Sequence, residues 1–506
     1  MFIGIDLGTT NSAVAALGDS GRPEMLANAE GANVTPSAVF FEPGDPPRVL
    51  VGQLARAQRE SAPERLFESF KRRMANPEPI TQGDLSATPI ELSAHVLRRL
   101  VADARGRVGE IGRAVITVPA NFANEARLAT MEAGASAGLD VTHLINEPTA
   151  ALFFYSFDRP ITGTVVVYDF GGGTLDVTLA RVDGKHVEIV TSRGDPRLGG
   201  IDFDRKLEDV VHAAYRAETG ESFDPAVHQL SIPVEELKKQ LSFREDATVS
   251  VAGGAGGRRS FRVTRAEFEK ACATLISKSA LLVESVLAEA GIAPAAVSDV
   301  FLVGGSTRMP MVQAHLERRF GRAPVCHVNP DEVVALGAAL YAGWAAGQGD
   351  EPATLNEAQA SAVGSLNLVE VANHFFGTIS LMEENGLPPR LRNSIVIEKN
   401  TPLPCSRTES YYTVSYGQRR VDCRVTQAST READPDFVRV IWSGALGPLP
   451  ANRPPGMEMR VTYSYDRSQI MHCVFVDTAT GMRREVRLGL APERPTADDG
   501  EKFVVE

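Results

Sequence analysis

The sequence predicts a duplicated, two-lobed α/β fold followed by an all-β domain, and three observations carry that expectation. First, two stretches share one grammar. Residues 165–168 form an apolar, β-branched run that ends in Asp169, turns through Gly171, Gly172 and Gly173, and resumes as Leu175-Asp176-Val177. The N-terminus repeats this pattern: Phe2-Ile3-Gly4-Ile5, then Asp6, then Gly8, Thr9 and Thr10, then a second strand, with Asp6 matching Asp169 and Gly8 matching Gly171 at one common offset. Second, residues 114–118 and 300–303 each read as a strand followed by a turn and a helical pattern, so the repeat extends beyond the hairpins. Third, the apolar period changes to two beyond residue 365, where short strands alternate with turn signals.

The hairpins suggest a chemistry. Consecutive glycines allow positive φ and leave no Cβ in the way, so backbone N–H groups can converge on an anion such as phosphate. The acids beside them, Asp6, Asp169 and Asp176, suit a hydrated magnesium ion, which takes oxygen ligands and keeps several waters. One such hairpin fits an ordinary glycine turn equally well. Two of matched pattern imply a nucleotide between duplicated halves.

Bulk properties bound the alternatives. A chain of 506 residues and 54.4 kDa can hold two or three domains with full cores. A net charge of −12 and a pI near 5.4 disfavour nucleic acid and anionic membranes as partners. No apolar run approaches a membrane span, and Asp6 interrupts the short apolar start, so a cytoplasmic location is expected. The five cysteines (Cys272, Cys326, Cys405, Cys423, Cys473) are odd in number and lack metal-ligand spacing, so reduced, mostly buried thiols are expected. The histidines form no recognisable cluster.

Taken in order, a turn-rich link at 30–37 leads into a strand at 38–41, and Gly52 opens a helical pattern. Lys71 follows among phenylalanines, beside Arg72 and Arg73; by its neighbours alone it reads as part of a solvated basic face. Residues 76–89 read as a loop and 90–108 as a helix. A strand at 114–118 leads to a helix over 121–137, and Glu147 precedes Pro148 at a helix start, where an isolated acid is ordinarily a helix N-terminal charge. Past the second hairpin, Gly199 and Gly200 open another helix, a setting that suits phosphate or simply a tight turn. Glu235, Lys238, Lys239 and Ser242 lie on an amphipathic helix whose charges alone read as a solvated face. Residues 253–257 read as a loop tip and 266–290 as one or two helices. The strand 300–303 delivers Gly304, Gly305, Ser306 and Arg308, and Asp331 belongs to a cap on the last helix, which runs through 346. Residues 347–364 read as a flexible acidic linker. Strands are expected at 394–398, 411–416, 421–428, 437–443, 457–466, 470–477 and 484–488, a spacing that suits a β-sandwich over 365–490, before a disordered tail at 491–506.

Seven motifs in order resemble those of the 70-kDa heat-shock chaperones: Gly4-Ile-Asp-Leu-Gly-Thr-Thr-Asn-Ser12, Ile116-Thr-Val-Pro-Ala120, Ile145-Asn-Glu-Pro-Thr-Ala150, Asp169-Phe-Gly-Gly-Gly-Thr174, Leu198-Gly-Gly200 with Asp202-Phe-Asp204, Val303-Gly-Gly-Ser-Thr-Arg308 and Asn329-Pro-Asp-Glu332. The resemblance implies an actin-like ATPase fold over 1–346 and a peptide-binding sandwich after it. It implies that Lys71 positions the attacking water and γ-phosphate, that Glu147 polarises the same water, and that Thr174 touches the γ-phosphate. Asp6, Asp169 and Asp176 would hold Mg2+ through waters; Gly8, Thr9, Thr10, Gly171, Gly172, Gly173, Gly199 and Gly200 would serve the phosphates. Glu235, Lys238, Lys239, Ser242, Gly304, Gly305, Ser306, Arg308 and Asp331 would hold the nucleoside of ATP. The family reading thus reverses the solvated-face reading of Lys71 and of the Glu235–Ser242 stretch. It also implies a monomer that binds unfolded peptide segments, assisted by a co-chaperone and a nucleotide-exchange factor, in protein folding and the stress response.

The chain departs from the family pattern in three places. The segment between Lys71 and Ile90 is short, so one lobe should be trimmed. No helical lid is expected after the sandwich. The apolar interdomain segment is interrupted by Asn367 and Glu370 among Leu366, Leu368, Val369 and Val371, which predicts weak coupling, toward the low end of about 1–3 kcal/mol. Pro119 and Arg127 do match the family's relay between nucleotide and linker. Two rival readings are a small-molecule kinase of the same superfamily, which has no use for a sandwich, and a regulator that binds ATP without hydrolysing it, against which Lys71, Glu147 and Asp169 argue.

Overall fold

The computed structural model describes residues 1–44, 46–224, 229–230, 232–252, 258–326, 328–347, 355–382, 388–488 and 504–505. Each lobe is built on a sheet that begins with one of the glycine hairpins. In the first, Phe2–Asp6 and Asn11–Leu17 pair antiparallel, while Arg113–Val118 runs parallel to Phe2–Asp6 and Val141–Asn146 parallel to that. In the second, Ile161–Phe170 and Leu175–Gly184 pair antiparallel and Val297–Val303 adds parallel to the first of them. The shared arrangement is the duplication expected of the actin-like fold. These central strands are covered on both faces, which is why they read as continuous apolar runs rather than alternating ones.

Two helices fill the space between the sheets. Val333–Gly347 is apolar on every side and buried almost throughout, the mark of a core helix. It crosses Glu147–Asp158 at Gly337, where a Cβ would fall 1.8 Å from the Ala150 carbonyl oxygen. The core formed there joins Leu17, Ile145, Val165, Phe301, Tyr341 and Trp344 into one cluster spanning both lobes.

After the lobes come two four-stranded antiparallel sheets: one of Phe375–Met382, Arg390–Ile397, Val421–Ala428 and Arg439–Leu446, the other of Cys405–Tyr412, Glu458–Tyr465, Met471–Asp477 and Arg483–Arg487. They enclose Phe376, Ile397, Val425, Val461, Tyr463 and Phe475. This is the expected β-sandwich.

Several local expectations are corrected. The supposed loop 76–89 contains the hairpin Ile80–Gln82 and Leu85–Ala87. The strand placed at 411–416 is Cys405–Tyr412; almost all of it is exposed, so no apolar alternation marks it. The strand Phe375–Met382 was missed. Of the expected flexible linker, 348–354 lie outside the described residues, but Glu357–Gly364 is a helix with an Asn356–Gln359 capping box. Gln359 fixes it to the first lobe by donating to the Leu17 and Gly18 carbonyls at 3.1 and 3.2 Å. The loop tip at 253–257 lies outside the described residues, as does the tail from 491 except Val504–Val505, which pair with Arg48–Val51. Cys272, Cys423 and Cys473 are buried, Cys405 is half-buried and Cys326 exposed, and none is paired.

The interdomain segment adds to the second lobe as a strand, Asn367–Val369, parallel to His186–Asp195. Leu366 and Val371 are buried, and Trp344 Nε1 donates to the Leu366 carbonyl at 2.9 Å. Asn367, expected to disrupt docking, is simply exposed in the strand. The sandwich itself rests on both lobes. Asn124 Nδ2 donates to the Leu488 carbonyl (3.0 Å) and Asn373 Nδ2 to the Ala120 carbonyl (2.6 Å). On the other side, Lys399 and Asn400 of the sandwich meet Glu289, which also receives Thr191 and Arg193.

Two histidines sit where charge is unwelcome. Burial, then Arg98, pushes the His95 imidazole down to about 4; burial, then Arg127 and Lys399, pushes that of His374 down to about 3. In the unfolded chain both titrate near ~6.5, so below that value the unfolded state binds more protons. Their contribution to stability is full above about pH 6.5 and is lost as pH falls through that range toward the folded values. The melting temperature is therefore expected to drop from pH 7 to pH 5, and His374→Asn to flatten the drop. An unchanged slope in the variant contradicts the assignment.

Candidate functional site

The turns of the two hairpins meet face to face. A Cβ on Gly172 would lie 1.9 Å from Thr10 Oγ1, and one on Gly173 2.5 Å from the Thr9 side chain. Only glycine lets the lobes approach this closely. Around this contact a cavity of about 840 Å³ opens, lined by Gly8, Thr9 and Thr10 from one loop and Gly171, Gly172, Gly173 and Thr174 from the other. The carbonyls of the second loop are tied back: Gly171 O accepts from Gly200 N (3.1 Å) and Ser306 Oγ (2.8 Å), and Gly172 O accepts from Ile201 N (3.0 Å).

Four carboxylates and one ammonium gather beneath the loops. Lys71 Nζ donates to Glu147 Oε1 at 2.5 Å, and Lys71 is only 3% exposed. The solvated-face reading of Lys71 is thereby overturned, because the preceding left-handed turn at Ser69 and the short helix Phe70–Arg73 aim it inward. Glu147 sits at the first turn of its helix, as an N-terminal charge would, but its carboxylate is spent on Lys71. Asp6 receives Thr117 Oγ1 at 2.9 Å. Asp169 Oδ2, both oxygens of Asp176 and Thr10 Oγ1 are buried without a hydrogen-bond partner. Burial, then the neighbouring Glu147, pushes Asp6 up to about 7 and Asp176 to about 8, and raises Asp169 well above the carboxylate range.

Such a cluster lacks positive charge, and a divalent cation fits what is missing. Among the described residues no three acids, histidines or cysteines are close enough to bind one ion directly. The arrangement therefore suits a hydrated ion held through waters and phosphate oxygens, as magnesium prefers.

The remaining predicted residues divide. Glu235, Lys238, Lys239 and Ser242 line the cavity from the helix Val234–Phe243, and Gly304, Gly305, Ser306, Arg308 and Asp331 line it from the loops after Val297–Val303 and before the last core helix. Glu235 pairs with Lys239 (3.0 Å), Lys238 with Asp204 (2.9 Å), and Arg308 with Asp331 (2.8 Å) and Asn329 (2.7 Å). Asp176, Gly199 and Gly200 do not reach the lining. Gly200 and Ile201 use their N–H groups on the carbonyls of Gly171 and Gly172, so the start of the helix Gly200–Thr219 braces the second glycine loop.

Sequence reasoning missed Arg72. Its guanidinium crosses between the lobes, donating from Nε to the Gly173 carbonyl (2.8 Å) and from Nη2 to Asp202 (2.6 Å). Nothing in the Lys71-Arg72-Arg73 run distinguishes it from a surface cation. Also missed was how Arg127 works. Only 1% exposed, it donates to Asn146 Oδ1 at 2.7 Å, and Asn146 Nδ2 donates in turn to Glu370 Oε1 at 3.1 Å. Gln469 Nε2 approaches the other oxygen of Glu370 at 3.5 Å. Glu370, expected to weaken the linker, is thus a partnered carboxylate adjacent in space to the residue preceding Glu147.

The sequence matches the family model described as Hsp70 protein over residues 2–87 and 78–506, nearly the whole chain.

The buried, poorly satisfied carboxyl of Asp176 carries a stability cost without ligand. Asp176→Asn is expected to raise the melting temperature in EDTA, by roughly 1–3 kcal/mol of stability, and to remove most of the further stabilisation by MgATP. A lower melting temperature in EDTA contradicts the view of Asp176 as a buried carboxyl poorly satisfied without ligand.

Proposed function

Because the chain belongs to the Hsp70 family of ATP-dependent chaperones, we propose that it hydrolyses ATP to ADP and phosphate with Mg2+, and that its nucleotide state governs the grip of the sandwich on unfolded peptide segments. The observation that carries the catalytic part is the buried Lys71–Glu147 pair beside the two glycine loops. Phosphoryl transfer to water needs little covalent chemistry from a protein; it needs positioning and charge compensation. Glu147 is the base that orients the attacking water. Lys71 holds Glu147 in place and offers its charge to the γ-phosphate as negative charge shifts in the transition state. Thr174 and the loop N–H groups orient the phosphate chain, and Asp6, Asp169 and Asp176 would hold a hydrated magnesium ion through its waters. Bound Mg2+ supplies the charge that neutralises the phosphate oxygens.

The peptide part is supported by where apolar surface is left open. Leu381, Met382 and Leu391 are exposed on adjacent strands, with Leu381 opposite Leu391, and Tyr412, Val414, Tyr416, Phe437 and Val440 are exposed elsewhere on the sandwich. Exposed apolar side chains gathered on one domain suit a binding surface for extended apolar segments. The same proposal includes a monomer working with a co-chaperone and an exchange factor in the cytoplasm, where thiols such as the five unpaired cysteines stay reduced.

Purified protein is expected to hydrolyse ATP slowly with magnesium. Lys71→Ala should abolish hydrolysis while leaving ATP affinity within about tenfold, since the charge acts mainly in the transition state. Steady-state phosphate release and equilibrium nucleotide titration check this; turnover that survives Lys71→Ala contradicts the assignment.

A further inference from the structure

Phe243 is the last residue of the helix Val234–Phe243 and, with Glu235, Lys239 and Ser242, lines the nucleotide cavity. Its side chain is 79% exposed, and among the described residues no other phenylalanine, tyrosine or tryptophan of the two-lobed domain is left in solvent. The position is not a fraying helix end. Arg265 donates from Nε to the Leu241 carbonyl (2.8 Å) and from Nη2 to those of Ser242 (3.5 Å) and Arg244 (2.9 Å), so the backbone is pinned on both sides of Phe243. The helical spacing 235, 239, 243 sets the ring on the same stripe as two lining residues. The other end of the cavity is charged and buried, at Lys71, Glu147 and Asp169. Phosphate chemistry at the buried floor and a solvent-facing aromatic on a pinned backbone at the open side suit the two ends of a nucleotide.

We propose that Phe243 stacks on the base of the bound nucleotide, so that this chain binds the base through an aromatic face as well as through polar groups. The inference rests on the nucleotide-binding reading above. A ring exposed to water gains by covering its face with a planar heteroaromatic, and that gain is nearly indifferent to which base is offered. Phe243 therefore adds affinity for purine nucleotides generally, while discrimination among them falls to the polar side chains of Glu235 and Ser242.

The test is calorimetric titration of the full chain with MgATP, MgGTP and magnesium tripolyphosphate, which lacks a base. Phe243→Ala is expected to weaken ATP about tenfold, to weaken GTP by the same factor, and to leave tripolyphosphate within about twofold. Phe243→Tyr keeps the aromatic face and should keep wild-type affinity for all three. Unchanged ATP affinity in Phe243→Ala overturns the inference and leaves the ATPase reading standing. Equal losses for ATP and tripolyphosphate overturn it too, since the effect would then be a distorted helix. Wild-type protein that binds neither ligand removes the parent reading and this inference together.

Discussion

Two consecutive residues, Asn146 and Glu147, tie the cleft to the sandwich. The strand Val141–Asn146 ends and the helix Glu147–Asp158 begins between them, so their side chains leave the backbone in different directions. Glu147 faces the cleft and pairs with Lys71; Asn146 faces away, between Arg127 and Glu370. One planar peptide joins them, so a displacement of this strand–helix junction carries both residues. Glu370 in turn sits between the docked strand Asn367–Val369 and the sandwich, where Gln469 approaches it. The proposed coupling of nucleotide to peptide is thus a short run of buried polar contacts, each costly to leave unpaired.

The cleft is costly in its own right. Asp6, Asp169, Asp176 and Glu147 share one ammonium, and several of their oxygens are buried without partners. A protein selected only for stability would neutralise such a cluster; here the local rule is broken where the proposed nucleotide and metal would bring charge. The surrounding structure holds the acids in place. Central strands buried on both faces, a core helix crossing at Gly337, and the Arg72 bridge between lobes leave them little room to move apart.

Much of this was legible in the sequence, because the glycine loops repeat and because their acids sit at strand ends. The lobes and the loop residues Gly8, Thr9, Thr10, Gly171, Gly172 and Gly173 follow from those two patterns; Glu235, Lys238, Lys239, Ser242, Arg308 and Asp331 came only from the family resemblance. Lys71 and Arg72 were not legible from their neighbours, since a basic triplet looks the same whether it faces water or a carboxylate; only the turn at Ser69 decides. The helix Glu357–Gly364 did leave a signal, the Asn356–Gln359 capping box, which small residues and nearby acids obscured. The strand Cys405–Tyr412 lies at a sheet edge and is exposed, so periodicity could not place it. The interdomain segment misled most. Polar residues in an apolar linker look like defects until the partners of Glu370, distant in sequence, are known.

Weak coupling was expected from that segment, and the docked, partnered linker argues for more. The most direct measurement is the dissociation rate of a fluorescent extended peptide in ADP and in ATP, for wild type and for Glu370→Gln. An amide offers one acceptor oxygen where the carboxylate offers two, so it cannot satisfy both Asn146 and Gln469. The expected result is release at least about tenfold faster in ATP for wild type, a coupling of about 1.4 kcal/mol or more, and a ratio near one for the variant. A wild-type ratio of one, or a ratio untouched by the substitution, would contradict coupling through Asn146 and Glu370.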